Sequence, residues 1–215
     1  MHCLPSKALL LAPMVELSHR PLRELITSFG GCDRYYTEMA GAPAYLSGAA
    51  YDAWFLDPLP EPVRTVIQFY SPDTPRMADA VRKLVGQRAA EDTPVGGIDL
   101  NFGCAAPHIE KAGGGVSWMK DARGAAAMVA AVRSEAQGIS LSAKLRLGYE
   151  EEPERLAEFC LGLADAGLDY IVLHPRLKDQ KFRRTAKWST IRALAATIPV
   201  PVIGNGDIRG YDSYR

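Results

Sequence analysis

The sequence predicts an α/β fold in which a parallel β-sheet is covered by α-helices. Short apolar segments alternate along the chain with longer segments whose apolar residues recur every three to four positions, a pattern typical of βα units. The predicted strand ends follow one another at intervals of 25 to 43 residues. A near-constant βα period of this kind favours a TIM (β/α)8-type barrel over a doubly wound sheet.

Seven predicted strands support this fold. Each is a short run of apolar or β-branched residues that stops at a proline, a glycine or a polar residue. They lie at residues 8–12, 34–37, 64–69, 97–100, 141–145, 170–173 and 201–204. A complete barrel needs eight strands and usually about 250 residues. The prediction is therefore one incomplete domain over residues 1–215, a barrel truncated after its seventh strand.

Amphipathic helices are predicted between these strands. The first begins at the potential N-cap Ser18 and ends at two consecutive glycines. Its apolar residues fall on one face, namely Leu22, Leu25, Ile26 and Phe29. The later helices are predicted at residues 75–87, 124–137, 153–166 and 188–197, with a shorter helical turn at residues 42–50.

The composition excludes several kinds of partner and site. With 25 basic and 25 acidic residues the formal net charge is zero, so a polyanion must be held by a local patch. No apolar run approaches the ~20 residues of a membrane span. Four cysteines and four histidines show no metal-ligand spacing, so no metal site is predicted. Unpaired cysteines favour a reducing compartment, and we expect the protein to be cytoplasmic.

Residues 98–121 are the stretch around which the site is predicted. A short apolar strand runs into Asn101, then into a turn at Gly103 and Cys104, and finally into a polar loop with three glycines at 113–115. The strand thus delivers an amide and a thiol into a glycine-rich loop. Catalytic groups commonly sit on loops that a rigid scaffold holds, so we interpret this stretch as part of an active site.

Polar side chains also stand at the carboxyl ends of the other strands, which meet at one mouth of a barrel. They are Glu38, Gln68, Asn101 with Cys104, Lys144, His174, and Asn205 with Asp207. Singly, each has a structural alternative: Lys144 could pair with Asp99, and Cys104 could be a small buried apolar residue. His174 could likewise be a core histidine, and Gln68 could cap a loop. Their joint placement favours a functional site, because a purely structural barrel needs no amides and charges at every strand end.

The motifs together resemble those of the tRNA-dihydrouridine synthases over nearly the whole chain. The matching pieces are Ala12-Pro13-Met14, Thr37-Glu38-Met39, Gln68, the run from Asp99 to Cys104, the glycines at 113–115, the run from Lys144 to Gly148, His174-Pro175-Arg176 with Gln180, and the run from Gly204 to Asp207. The resemblance implies a barrel that binds flavin mononucleotide (FMN). It also implies reduction of the C5–C6 double bond of uridine in tRNA, with NADPH as the reductant.

The resemblance implies roles for individual residues. Cys104 is implied to be the catalytic proton donor to C5 of the uracil, after hydride has passed from flavin N5 to C6. An ordinary cysteine has a pKa near 8.5 and is mostly a thiol at pH 7, which suits a general acid. The implied cofactor-binding residues are Pro13, Met14, Gln68, Lys144, His174, Asn205, Gly206 and Asp207. Asn101 and Arg176 are implied to contact the substrate.

The chain departs from the family pattern in two ways. Ala105 and Pro107 stand where the family usually has proline and often has lysine. The family's strand-eight phosphate loop and its C-terminal helical tRNA-binding domain have no counterpart in these 215 residues.

A run of basic residues follows the sixth predicted strand. It comprises Lys178, Lys181, Arg183, Arg184 and Lys187, with Phe182 among them. The run is either a solvated loop or a contact for tRNA phosphates, and the resemblance favours the second interpretation.

Two other functions stay open. One is a different FMN-dependent barrel reductase that acts on a small pyrimidine, as dihydroorotate dehydrogenases do. The other is an inactive, truncated remnant that binds RNA without a cofactor.

Overall fold

The computed structural model describes residues 4–5, 7–49, 52–180 and 183–214. In these residues six parallel strands form one sheet in sequential order. The strands are β1 (Tyr35–Gly41), β2 (Thr65–Tyr70), β3 (Gly97–Phe102), β4 (Leu141–Leu145), β5 (Tyr170–Leu173) and β6 (Val202–Gly204). The predicted α/β fold with a parallel sheet is confirmed.

The sheet curls into part of a barrel. The hydroxyls of Tyr36 on β1 and Tyr170 on β5 lie 2.8 Å apart, although three strands separate β1 from β5 in the sheet order. In a flat sheet these two strands would be about 19 Å apart, since neighbouring strands are spaced by about 4.8 Å. The contact therefore requires strong curvature, which agrees with the predicted TIM-type barrel.

The first predicted strand, residues 8–12, is wrong as a full strand. A single parallel bridge joins Leu10 to Arg34, and the backbone N–H of Leu11 donates to the Arg34 carbonyl at 2.9 Å. The ladder stops there because Pro13 has no backbone N–H with which to extend it. This segment is therefore a short arm that runs beside β1.

Nine α-helices lie between and around the strands of the described residues. They are α1 (Arg20–Ser28), α2 (Ala42–Ser47), α3 (Asp52–Phe55), α4 (Thr74–Ala90), α5 (Pro107–Lys111), α6 (Ala122–Glu135), α7 (Pro153–Asp165), α8 (Trp188–Thr197) and α9 (Tyr211–Tyr214). Two 3-10 helices cover Gly115–Lys120 and Lys178–Gln180. Within the described part of the chain, no helix combines the length and the apolar character that crossing a membrane requires.

The main core lies between the sheet and helices α4, α6 and α7. The helices bury Met77, Val81, Leu84, Met128, Val129, Val132, Leu156, Phe159, Cys160 and Leu163 against it. Within each helix these residues recur every three to four positions and so lie on one face, and their burial follows from that pattern. On the sheet side the core is formed by residues such as Ile67, Phe69, Ile98 and Leu100.

Helix α1 departs from its prediction in two respects. Its N-cap is His19, not Ser18. The Ser18 hydroxyl is fully buried, donates to the Met14 carbonyl at 3.0 Å and accepts from the Met14 N–H at 2.9 Å. Ser18 therefore closes the turn before the helix, a use of a serine hydroxyl that competes with helix capping.

The apolar face of α1 also does not point to the core. Leu25 is 55% exposed and Phe29 is 84% exposed, whereas Arg23 is fully buried. The Arg23 guanidinium takes the inner side because it donates to the carbonyls of Ser18, Leu59 and Asp57 at 2.6, 3.0 and 2.5 Å. These bonds compensate for the cost of burying the charged guanidinium. Apolar periodicity alone cannot predict such a buried arginine.

The interior of the curled sheet is apolar at one level and polar at the next. A small cluster of Tyr36, Val66, Tyr170 and Val172 fills the lower part, with Leu10 and Ile203 packed against it. Polar side chains occupy the inward positions nearer the carboxyl ends of β2, β3 and β4, because alternate residues of a strand face the same side. These side chains are Gln68, Asp99, Asn101, Ser142 and Lys144. The fold thus directs several polar groups toward one mouth.

Candidate active site at the mouth of the barrel

Cys104 lies two residues after the end of β3, and its backbone is held by hydrogen bonds on both sides. Its N–H donates to Asn101 Oδ1 at 2.8 Å, and its carbonyl accepts from the Val116 N–H at 2.9 Å. Gly115 has φ +56°, and a Cβ at this position would collide with the Cys104 carbonyl oxygen. The loop can close on Cys104 only because residue 115 is a glycine. The thiol-bearing residue is half-buried.

Helix α5 begins three residues after Cys104, at Pro107. A proline suits the first helical turn, because its missing N–H would have no partner within the helix. The helix is tied to neighbouring loops through Glu110, whose Oε1 accepts from the Tyr149 hydroxyl at 2.8 Å and from Lys178 Nζ at 2.7 Å. Three loops of the mouth, which follow β3, β4 and β5, therefore meet at Glu110.

A chain of side-chain hydrogen bonds links Asn101 to the interior of the barrel. Asn101 Nδ2 donates to Gln68 Oε1 at 2.9 Å, and Gln68 Nε2 donates to Asp99 Oδ2 at 2.6 Å. Ser142 Oγ donates to the other Asp99 oxygen at 2.5 Å. Asp99 is fully buried, and burial raises the pKa of its carboxyl to about 6 although the bonds from Ser142 and Gln68 oppose the rise.

Lys144 lies on β4 opposite Asn101 in the strand register and is half-buried. None of the ion pairs in the described residues involves it, so the alternative of a Lys144–Asp99 ion pair is not supported. Burial, and then the nearby Arg146, lower the pKa of Lys144 to about 8. Lys144 is therefore a mostly protonated amine at pH 7 whose charge no carboxylate of the described chain neutralises by direct contact.

His174 follows β5 and belongs to a second chain of contacts. Arg176 Nη1 lies 3.0 Å from His174 Nε2, and a guanidinium can only donate, so Nε2 accepts and the ring proton sits on Nδ1. Burial lowers the pKa of His174 to about 3, with Arg146, Lys144 and Arg176 adding to the effect. His174 is therefore neutral and presents one N–H donor.

Arg176 connects His174 to the turn after β6. It is 3% exposed, and its Nη2 donates to both carboxylate oxygens of Asp207 at 2.7 Å. Its Nε donates to the Arg184 carbonyl at 2.5 Å. The bond from Arg176, and then the Ala186 N–H, lower the pKa of Asp207. The turn after β6 has a left-handed backbone, since φ is +117° at Gly206 and +59° at Asp207.

Arg146 is a residue of the mouth to which the sequence assigned no role. Its Nε donates to the Gly103 carbonyl at 3.1 Å, while its Nη1 is buried and has no hydrogen-bond partner among the residues that the structure describes. The Cys104 sulfur is close enough to interact electrostatically with both Lys144 and Arg146. The spacing of the sequence could have identified Arg146, because a residue two positions after Lys144 lies on the same face of the strand.

The remaining predicted cofactor residues lie at one side of the mouth. Pro13 and Asn205 line a cleft of about 450 Å³ between the N-terminal arm and β6. Met14 is half-buried, and its backbone is fixed by the bonds with Ser18. A Cβ at Gly206 would lie 2.8 Å from His174 Cδ2, so this turn packs directly on the histidine.

The structure therefore brings most of the predicted residues into two groups, and the members of each group are in contact with one another. Gln68, Asn101 and Cys104 make the first, and His174, Arg176, Gly206 and Asp207 make the second. Lys144 and Arg146 interact electrostatically with His174 of the second group and with Cys104 of the first. Pro13, Met14 and Asn205 border this arrangement, and no hydrogen bond from their side chains to either group occurs in the described residues.

Some residues of the basic run after β5 form ion pairs and others are exposed. Lys178 pairs with Glu110 at 2.7 Å and Lys187 pairs with Glu151 at 2.5 Å. Arg183 and Arg184 are exposed. Lys181 and Phe182 lie outside the described residues.

The mouth can bind an oxygen-rich or anionic ligand and supply a proton to it. Lys144, the unpartnered Nη1 of Arg146 and Nδ1–H of His174 are hydrogen-bond donors, and the Cys104 thiol is an acid. Within the described ranges, no group of three or more histidine, cysteine or acidic residues is arranged to hold a metal ion.

Comparisons with known proteins show which proteins this chain is similar to. The family model described as "Dihydrouridine synthase (Dus)" matches residues 10–215. A "tRNA-dihydrouridine(16) synthase" of Cupriavidus necator is 34% identical over 208 residues, which are 93% of this chain and 62% of that protein. The enzyme of the same name from Aquipseudomonas alcaligenes is 32% identical over 95% of this chain and 65% of its own length.

A third relative is a "Probable tRNA-dihydrouridine synthase 1" of Synechocystis sp., which is 30% identical over 93% of this chain and 54% of its own length. The chain thus spans between 54% and 65% of the length of these three relatives.

Proposed function

The chain belongs to the dihydrouridine synthase family, and from that premise we propose that it reduces uridine in tRNA to 5,6-dihydrouridine. The proposed cofactor is FMN and the proposed reductant is NADPH. We place the reaction in the cytoplasm, where reducing conditions keep a catalytic cysteine as a free thiol.

The residues of the mouth fit FMN. Its isoalloxazine presents carbonyl oxygens along one edge, and its phosphate is an anion. Lys144, which forms no ion pair within the described ranges, and the remaining amide N–H of Gln68 would hold the carbonyl edge, with Pro13 and Met14 beside the ring. The phosphate would lie toward His174, whose donor is Nδ1–H, and toward the turn of Asn205 and Gly206. When bound, FMN supplies the hydride that the reduction of uracil requires.

Asp207 serves this cofactor indirectly. Its carboxylate would repel a phosphate, but both oxygens accept from Arg176. The ion pair holds the side chain of Arg176, which in turn fixes the tautomer of His174. The donors of Arg176 are already used by His174, Asp207 and the Arg184 carbonyl. We therefore expect Arg176 to act on a ligand mainly by orienting His174.

Cys104 is the proposed proton donor to C5 of the uracil. Its backbone is held on both sides, and the side chains of Lys144 and Arg146 lie near its sulfur in the same mouth. This placement of a thiol beside two cations at the barrel mouth is the observation that carries the proposal.

Asn101 is the proposed contact to the uracil. One N–H of its amide binds Gln68 at 2.9 Å, whereas the other faces the Met39 sulfur at 3.3 Å. A thioether is a weak acceptor, so a uracil carbonyl would replace it readily. The oxygen of the same amide is already committed to the Gly103 and Cys104 N–H groups.

The experiment is a reaction of the purified protein with NADPH and tRNA that lacks dihydrouridine, with dihydrouridine measured by mass spectrometry. Free orotate is offered as the competing small pyrimidine. We expect protein-bound flavin and product in tRNA only. Reduction of orotate would favour the small-pyrimidine reductase, and a colourless protein that binds tRNA without product would favour the inactive remnant.

A further inference from the structure

The hydrogen bonds between Cys104 and Asp99 all run in one sense. The N–H groups of Gly103 and Cys104 donate to Asn101 Oδ1 at 3.2 and 2.8 Å. Asn101 Nδ2 then donates to Gln68 Oε1, and Gln68 Nε2 donates to Asp99 Oδ2, at 2.9 and 2.6 Å. Five residues of β2, β3 and the loop after β3 thus form one head-to-tail chain.

Both ends of this chain have a fixed hydrogen-bonding character. Backbone N–H groups can only donate, and an ionised carboxylate can only accept. The two amides between them could each be turned by half a rotation, but only one pair of orientations satisfies every bond. If Gln68 turned, its oxygen would face the Asp99 oxygen, and its NH2 group would face that of Asn101. The carboxylate and the backbone N–H groups therefore select the same orientation of Asn101, with Oδ1 facing Cys104.

We propose that Asp99 is a positioning residue for Cys104. Its acceptor oxygen orients the amides of Gln68 and Asn101, and Asn101 Oδ1 in turn fixes the backbone that carries the thiol. The inference rests on the proposed function only insofar as Cys104 is the residue being positioned. Because Asp99 is fully buried, it acts through these two side chains and touches neither substrate nor cofactor.

The other bond to Asp99 provides a matched control. Ser142 Oγ donates to Asp99 Oδ1 at 2.5 Å and is equally buried, but it lies outside the chain that leads to Cys104. Removing it costs a buried hydrogen bond without changing the order of the amides. A general loss of stability around Asp99 can therefore be separated from a loss of orientation.

The test measures the alkylation rate of Cys104 by iodoacetamide in flavin-free protein at pH 7, by mass spectrometry, with Cys32 as the internal reference. Asp99→Leu keeps most of the side-chain volume but removes the acceptor. We expect Cys104 in this variant to react about fivefold faster relative to Cys32, the factor that corresponds to the loss of one net hydrogen bond. Asp99→Asn can still offer an oxygen to Gln68 while its NH2 faces Ser142 Oγ, so it is expected to restore the wild-type rate.

Ser142→Ala is expected to leave the Cys104 rate unchanged although it lowers the free energy of unfolding. Equal acceleration in Ser142→Ala and Asp99→Leu would overturn the proposal, as would an unchanged rate in Asp99→Leu. If Asp99→Leu does not fold, Gln68→Met breaks the same chain one step nearer to Cys104 and must accelerate the reaction, or the proposal fails. None of these rates depends on turnover of tRNA, so the result is independent of the proposed function.

Discussion

At the scale of single residues, the mouth of the barrel is defined by groups whose charge state is set by burial. His174 is neutral because burial and three neighbouring cations disfavour its protonation. Lys144 remains mostly cationic at pH 7, with a pKa lowered to about 8. The site therefore combines the cations Lys144 and Arg146, neither of which forms an ion pair in the described residues, with the neutral donor His174. This combination suits a ligand with carbonyl oxygens and an anionic group.

The lowered pKa of Lys144 predicts that the proposed binding of FMN depends on pH. The amine is charged below about pH 8 and loses its proton above it, so FMN affinity falls as the pH rises. The protonated fraction drops about tenfold between pH 7 and pH 9, and we expect the Kd for FMN to rise by about the same factor. Fluorescence titration of FMN measures the Kd. Lys144→Arg keeps its charge at pH 9 and should flatten this dependence; an equally steep dependence in that variant would contradict the role of Lys144.

The neutrality of His174 gives a pH dependence of stability. Its pKa is about 3 in the folded protein and about 6.5 in the unfolded chain. Between these values the unfolded state binds more protons, so the free energy of unfolding falls as the pH falls. The contribution of His174 is up to about 2 kcal/mol between pH 6.5 and pH 5. Asp99 acts in the opposite sense, because its pKa is raised to about 6.

Urea unfolding of the wild type and of His174→Gln at several pH values separates the contribution of His174 from that of Asp99. His174→Gln should lose less stability than the wild type between pH 6.5 and pH 5, whatever its stability at pH 7. Parallel pH dependence in the two proteins would show that His174 takes up its proton without cost in the folded state.

At the scale of elements, the loop that carries Cys104 depends on backbone conformations that one residue type permits. Gly115→Ala places a Cβ against the Cys104 carbonyl and forces a side chain into φ +56°. We expect a loss of about 1–3 kcal/mol in the free energy of unfolding, together with loss of activity. Chemical denaturation and the tRNA assay measure the two effects.

Gly162→Ala is the matched control for this substitution. Gly162 lies inside α7, and a Cβ there has open space around it. The same substitution is expected to raise the free energy of unfolding by about 0.5–1 kcal/mol, because alanine is the better helix former. If both variants lose stability alike, the close packing of residue 115 on Cys104 is not the cause.

Elements with strong periodicity were predictable, and elements fixed by tertiary contacts were not. The predicted bounds of β4, β5 and α8 agree with the structure because each is a clear apolar run or amphipathic segment between breakers. Helix α5 and the 3-10 helix Gly115–Lys120 were missed, since the loop after Cys104 has no apolar period. The length of the first strand was overestimated. Its apolar run predicts a strand but does not show that only one bridge to the neighbouring chain segment forms.

At the scale of the whole molecule, the curvature of the sheet brings together residues that are far apart in the chain. The sequence predicted which residues end the strands, and the barrel places Gln68, Asn101, Lys144 and His174 near one mouth. The role of Arg146 and the buried network of Asp99 with Ser142 were not predictable. Both depend on distances between strands that a linear pattern does not contain.

The zero net charge makes the proposed binding of tRNA depend on local cations. Arg183 and Arg184 are exposed and make no ion pair in the described residues, whereas Lys187 is paired with Glu151. We expect Arg183→Gln/Arg184→Gln to reduce the slope of log K against log salt concentration by about 1.5, because each phosphate contact contributes roughly 0.7–0.9. Filter binding of tRNA at several salt concentrations measures the slope. Lys187→Gln should change it little, and equal effects of the two changes would reject the role of the arginines.

The most direct test of the central claim compares two half-reactions in Cys104→Ala. Bleaching of the flavin absorbance by NADPH reports reduction of the cofactor, and mass spectrometry of tRNA reports dihydrouridine. We predict that Cys104→Ala retains the rate of flavin reduction while its dihydrouridine formation falls by about a hundredfold or more, as expected for loss of a general acid. Cys32→Ala should behave as the wild type. Undiminished dihydrouridine formation in Cys104→Ala, or an equal loss of both half-reactions, would contradict the assignment of Cys104 as the proton donor.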